Sequence, residues 1–522
     1  MVSGIMGDKQ AYGNTGSIND WIKILMIVTV MALLLSVLSL SEVNAKTNDV
    51  SSTMFSESFL RGDLNGNGVS ADAGDLVLMK RASIGEIQAD SGYDLNNNDQ
   101  LADAGDLVLM KRASIGEIVL QNPPQTKDKT LYVWAGAQDR KHPDFLAVVN
   151  FDEDSPDYGK VIKTVPIPPP GNINNEAHHC HLSANKKILA CGGLLSVLQG
   201  QNGVFFFNVS NSSDPKFLFS TNAPNSNITD DFLPLSSGGF LVTQMGSASG
   251  GAPGRVAEFD QDLQLVHEWP DNPPQDGFNP HGIDARPEIN LLVTSDFLNP
   301  VTTLNGHGPL EIHGSIRVWD MDKRQIVRTI PIPPGPDNGS VGTIDVKLIP
   351  GDPLGRAITA GMLDGLIRVV NPYTGEVKTV FNTSNITPHI EVPPSAGPVP
   401  GGLIQLFALP MSGDRLIAGL FQTGQVVMLN TSDRDHFVQL SVVDLGVGAG
   451  PHYLKLTEDN KRLVVSDYFL NEDDFGMVHF EGDHKIHVIK VDHDKLTLDT
   501  RFDLDFDKDL QYPARPHGLA VK

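Results

Sequence analysis

The chain has 522 residues, with 63 acidic against 39 basic side chains, a net charge of −24 and a pI near 4.9. That balance argues against nucleic acid as a partner, because phosphate binding needs a basic surface. Charged residues at 20% and hydrophobic residues at 40% make an ordinary globular mixture, and 50 Gly with 35 Pro suit a chain of many short strands and turns.

Ile22 to Leu40 is almost uninterrupted apolar sequence, and Val43-Asn44-Ala45 offers a small-residue cleavage pattern before Lys46. Residues 1–45 therefore read as a signal peptide or an uncleaved membrane anchor. Either reading exports the rest to the cell surface or beyond, and any membrane contact runs through this segment alone. Seven N-x-S/T sequons, at Asn208, Asn211, Asn227, Asn338, Asn382, Asn385 and Asn430, are compatible with that location.

After a linker (46–61), residues 62–118 hold an internal repeat. ADAGDLVLMKRASIGEI at Ala71–Ile87 recurs unchanged at Ala102–Ile118, and each copy follows an acid/amide run. Oxygen donors at alternate positions, closed by a late carboxylate, are what Ca²⁺ requires. The first set is Asp63, Asn65, Asn67, the Val69 carbonyl, and Asp72 or Asp75. The second is Asp94, Asn96, Asn98, the Gln100 carbonyl, and Asp103 or Asp106. The LVLMKRASIGEI that follows has helical periodicity with Leu76, Met79 and Ile84 apolar. The segment resembles a dockerin, which implies two calcium half-sites and a cohesin-type partner. The late acid falls at loop position 10 or 13, whereas the usual calcium loop has it at 12, where Gly74 stands here. Residues 119–129 read as a Pro-containing linker.

From Thr130 onward the sequence is short β-type runs divided by Gly, Pro, Asn and Asp, without an amphipathic helix of 12 or more residues. The third strand of a four-strand unit recurs as GVFFFNVS, GRVAEFDQD, GSIRVWDMD, GLIRVVNPY, GQVVMLNTS and HKIHVIKVD. Six units begin near His178, Asp230, His281, Asp345, Leu403 and His452. The lone last strand around His517 completes a seventh with TLYVWAGA, DFLAVVNFD and KVIKTVPI. The expected fold is all-β, a seven-bladed propeller over residues 130–522 whose C-terminal strand closes the first blade, preceded by the small α-helical calcium module.

Cys180 and Cys191 are the only cysteines. A hairpin turning at Ala184–Lys187 sets them opposite one another. A disulfide is permitted in an exported protein, with two buried thiols or a thiolate metal ligand as alternatives.

All 16 histidines follow residue 129, and four of the seven blade starts carry them: His178 and His179, His281, His452 and His517. First strands line a propeller channel, so these rings converge with Asp230, Asp231 and Asp345 from other blades, which are candidate proton acceptors. Imidazoles with a few carboxylates suit a transition metal, copper or zinc. The competing reading is a turn signature whose histidines bond backbone. His142, His267, His436, His484, His487 and His493 read as surface residues, and His307 and His313 as members of a long loop.

PDFLAVVNFDEDSPDYGKVIKTVPIP followed by EAHH, PEINLLVTSDFLNP with GSIRVWDMDKRQIVRTIPI, GPHYLKLTEDNKRLVVSDYF and the closing His together resemble the selenium-binding protein / methanethiol oxidase family. The resemblance implies a histidine-held copper and oxidation of methanethiol by O₂ to formaldehyde, H₂S and peroxide. His178, His179 and His517 match family histidines. A family histidine pair corresponds to Asp230 and Leu233, another histidine to about Thr423, and the selenium-associated cysteine to about Ala135, so selenium binding through that thiol is not implied. Three functions follow: an exported metalloenzyme acting on a small thiol, a non-catalytic scaffold propeller tethered through the dockerin-like module, and a propeller lactonase, ranked last because the channel is rich in His.

Overall fold

The computed structural model describes residues 64, 71, 73–87, 93, 95, 102, 104–115, 128–304, 310–336, 341–392, 399–472 and 478–522. The leader, the first linker, residues 119–127, His307, Asn338, and the calcium candidates Asp63, Asn65, Asn67, Val69, Asp72, Asp94, Asn96, Asn98, Gln100 and Asp103 lie outside the described residues. Among those described, no helix is long and apolar enough to cross a membrane.

In the repeat, each perfect copy forms one helix, Ala73–Ser83 and Ala104–Ser114. Met79 and Met110 are fully buried in a small core with Ala71, Ala102, Tyr93 and Leu95. The periodicity reading is corrected at Ile84, which lies past the helix end and is 71% exposed. Asp75 and Asp106 are buried, and each accepts the backbone N–H eleven residues upstream, from Leu64 and Leu95. The repeat in sequence is thus a repeat in hydrogen bonding.

Residues 130–522 form seven antiparallel blades, six of four strands and the last of five, where Leu504–Asp505 also pairs with Lys485–Asp492. The innermost strands, in blade order, are Ala514–Val521, Ala177–Leu182, Ser226–Pro234, Pro280–Arg286, Thr343–Leu348, Ile404–Ala408 and Pro451–Leu456. Blade 1 is closed as expected: Ala514–Val521 pairs with Thr130–Ala137, and Lys129 and Thr130 both donate to the Lys522 carbonyl. Closure leaves no free edge between first and last blades. Strands packed on both faces are continuously apolar, as in Val204–Asn208 (VFFFN), while rim strands such as Val161–Pro166 alternate buried and exposed. Adjacent blades bury their faces together, Trp134 of blade 1 lying against Phe205 and Phe207 of blade 2.

Two details differ from the sequence reading. Blade 7 carries an extra two-stranded ribbon, Phe469–Glu472 with Val478–Glu481, between its second and third strands. His313 lies on the strand Ile312–Asp320 and not in a loop, and the short helix Pro300–Leu304 precedes it. The hairpin at 183–188 closes as expected, Cys180 pairs with Cys191 in register, and the two are joined as a disulfide.

Candidate metal centre in the channel

Alternation along a strand would send His178 and His179 to opposite faces. Both reach the channel because the ladder shifts register between Ala177 and Cys180. The same irregularity recurs on every innermost strand: around Asp230 and Asp231, at His281, beside Asp345, at Gln405, at His452, and where His517 is skipped between Pro516 and Gly518. A bulge re-aims a side chain at the cost of a ladder bond. Seven bulges at one level turn the ring inward.

The glycines after two of these histidines have a steric cause. A Cβ at Gly282 would stand 2.7 Å from Asp345 Oδ1, and one at Gly518 would stand 2.3 Å from the His178 carbonyl oxygen. Neighbouring inner strands approach too closely there for a side chain.

At this level His178, His179 and His281 lie against Asp230, and His452 and His517 pack on those rings, all of them buried. His178 Nε2 is 3.1 Å from Asp230 Oδ2, and His281 Nε2 is 3.3 Å from the same oxygen. His179 Nδ1 lies 3.1 Å from Asp230 Oδ1 without the alignment of a hydrogen bond, and its Nε2 is 3.3 Å from His452 Nε2. Two groups, His178/His179/His517 and His178/Asp230/His281, each bring one ligand atom per residue within 4.8 Å of the others. His178 Nδ1, His281 Nδ1 and both ring nitrogens of His517 are buried without a hydrogen-bond partner. Orphaned buried polar atoms are rare and costly unless something occupies them.

Burial, with His179 next to it, pushes the His178 imidazole down to about 4. Burial and neighbouring histidines likewise hold His452 and His517 well below the usual histidine range. Burial works to raise Asp230, but His281, His179 and His178 outweigh it and keep the carboxylate well below its usual value. The cluster is therefore a buried carboxylate among imidazoles, of which burial holds His178, His281, His452 and His517 toward the neutral, lone-pair form, a donor set and charge that fit a divalent or monovalent transition cation. His178, His179, His281, His452 and His517 would hold it, with Asp230 as counter-charge.

Asp231 and Asp345 sit apart from the rings. Asp231 is 3.4 Å and Asp345 3.3 Å from Lys347 Nζ, and the Asp345 carboxylate also accepts the N–H groups of Val346 and Phe407. Gln405 occupies the level on blade 6. Its Nε2 donates to the Leu403 carbonyl and its Oε1 faces His452 Nδ1 at 2.8 Å. Sequence reasoning sought ionisable groups and passed over this amide. It also missed Tyr468, whose ring lies 4.0 Å from that of His517 and covers the rings of His178 and His452. Its place just past the second strand of blade 7 is visible only in three dimensions.

Two spaces flank the cluster. A small chamber of about 100 Å³ is lined by Leu194, Ile228, Met245, Phe297, Ile344 and Met362 over His178, His281 and His452. On the other side lies a polar cavity of about 570 Å³, which His179 and His281 share with Asp231, Lys347 and Lys455. Leu233 lines that cavity, Thr423 lies in a different pocket, and Ala135 is buried core. His142, His267 and His493 are surface residues, with His142 on Asp139 and His267 on Asp271, whereas His484 and His487 are half-buried beside Asp507 and Asp483.

No protein-family model matches the chain. Selenium-binding protein 2 of Arabidopsis thaliana is 24% identical over 458 residues, covering 75% of this chain and 90% of the relative. The propeller is related to the selenium-binding proteins and methanethiol oxidases. A methanethiol oxidase of Pongo abelii is 24% identical over 434 residues, covering 72% of this chain and 89% of its own length. A hypothetical selenium-binding protein from Sulfolobus tokodaii superposes with a TM-score of 0.63 at 16% identity, over 76% of this chain and 94% of that one, a likeness of fold.

Proposed function

We propose that this chain is an exported oxidoreductase of the methanethiol oxidase type, holding copper in its histidine ring and acting on a small thiol with O₂. The observation that carries the reading is the buried set of five imidazoles with Asp230, in which five ring nitrogens lack hydrogen-bond partners. Bound copper supplies one-electron chemistry that couples a thiol to O₂. The protein's part is positional. Asp230 supplies counter-charge, the neutral rings offer lone pairs, and Leu194, Ile228, Met245 and Met362 exclude water and seat a short apolar substituent. A chamber of about 100 Å³ suits a substrate of only a few heavy atoms.

The repeat module would bind calcium through the two acid/amide loops and dock to a cohesin-type protein, tethering the propeller outside the cell. The identical helices and the matched Asp75 and Asp106 contacts support two equivalent half-sites.

The test is to express residues 46–522 without a histidine tag and measure bound metals by plasma mass spectrometry, beside a His178→Ala/His517→Ala double variant. About one copper per chain, lost in the variant, together with methanethiol turnover, upholds the reading. Calcium alone, unchanged in the variant, sinks the enzyme and leaves a scaffold propeller.

A further inference from the structure

We propose that Lys455 is a reactive amine that captures small neutral aldehydes as an imine in the polar cavity on the far side of the ring from Tyr468. Lys455 lies on the innermost strand of blade 7 and lines the cavity of about 570 Å³. Its Nζ is 3.1 Å from His181 Nε2. His181 Nδ1 is 2.9 Å from the Leu182 carbonyl oxygen, which can only accept, so Nδ1 carries the hydrogen. Nε2 is therefore a lone pair that accepts an N–H of Lys455 and fixes the direction of the amine.

Lys347, in the same cavity, is held quite differently. Lys347 is paired with Asp231 and Asp345 and is pushed up as a permanent cation. Lys455 has no carboxylate within ion-pair distance among the described residues, and its one close polar partner is an imidazole lone pair. Burial lowers its pKa, Asp231 raises it and Lys347 lowers it again, leaving about 8. A half-buried lysine without a counter-ion, near a like charge, is the arrangement that frees an amine for carbonyl chemistry. Asp231, Asp284, Asp345 and Glu288 outnumber the cations Lys347 and Arg286 that face the cavity and pair with them, which disfavours an anionic ligand and leaves neutral carbonyls as the matching class.

The step balances without any oxidant. The amine nitrogen adds to the carbonyl carbon, its two hydrogens leave with the carbonyl oxygen as water, and a C=N bond joins Lys455 to the aldehyde. The step does not depend on a metal in the ring.

The experiment is competitive reductive alkylation of the full chain as purified, with trace acetaldehyde and cyanoborohydride at pH 7, read lysine by lysine by peptide mass spectrometry. Lys323, 68% exposed at its side chain, is the internal reference. Lys455 should be ethylated at least about tenfold faster than Lys323, since a pKa near 8 leaves far more free amine at pH 7. Lys455→Arg keeps a donor to His181 and should remove the fast site while leaving other lysines unchanged. Labelling of Lys455 at or below the rate of Lys323, or a fast site that survives in Lys455→Arg, overturns the proposal.

Discussion

His452 Nδ1 lies 2.8 Å from Gln405 Oε1, and because Gln405 Nε2 is committed to the Leu403 carbonyl, the amide presents an oxygen to the ring. An oxygen only accepts, so His452 carries its hydrogen on Nδ1 and aims the Nε2 lone pair at His179, 3.3 Å away. Gln405 thereby sets the tautomer of a candidate ligand, as carboxylates and carbonyls behind metal-bound histidines commonly do. Gln405→Leu should fold, retain the other ring members and lose about 10–100-fold in metal affinity. Competition against a chelator measures it, and unchanged affinity would remove His452 from the ligand set.

His517 is fully buried with neither ring nitrogen bonded. Metal-free protein therefore carries a desolvation penalty of about 1–3 kcal/mol there. His517→Phe should leave the melting temperature of metal-free protein unchanged or higher, while abolishing the gain that metal gives wild type. Calorimetry with and without added copper reads both effects. A variant destabilised equally in both states would mark His517 as purely structural.

Asp144 is buried and accepts N–H groups from Ala137 and Asn175, yet burial, then the charge of Glu176, pushes its carboxyl up to about 6. Between pH 3.8 and 6 the folded protein holds a proton that the unfolded chain has released, so this group's contribution falls as pH rises through that window and stays lost above it. Asp144→Asn cannot titrate. The variant should gain on wild type by roughly 2 kcal/mol between pH 4 and pH 7. Denaturant melts at the two values give the gap, and a gap that does not move with pH refutes the shift.

The Cys180–Cys191 disulfide spans 11 residues between adjacent strands of blade 2. Loop-closure entropy puts its worth at up to about 3 kcal/mol, less where the hairpin persists in the unfolded chain. Cys180→Ser/Cys191→Ser should lower the melting temperature by a few degrees and leave the blade intact by circular dichroism. It should also weaken metal retention, since His179 and His181 flank Cys180 on one strand.

Calcium removal is expected to act on the repeat module. A chelator should lower protection from proteolysis across residues 62–118, and Asp75→Ala/Asp106→Ala should abolish calcium-dependent protection. Loss of the Leu64 and Leu95 contacts alone would lower stability with or without calcium.

The blade count, the strand that closes blade 1, and the candidates His178, His179, His281, His452 and His517 were legible in the sequence. Hydrophobic patterning repeats with each four-strand unit, and histidine clusters where first strands begin. The in-register pairing of Cys180 with Cys191 was legible as well, because turn length sets hairpin register, although its oxidation state was not. What tertiary structure alone decided is which way those side chains point. Period-2 alternation cannot place His178 and His179 on one face; a bulge does so, and a bulge answers to the crowding of neighbouring strands rather than to local propensity. The same is true of Gln405, Tyr468 and Lys455. Each acts through a partner that is distant in sequence or on another blade, and no spacing along the chain encodes those contacts.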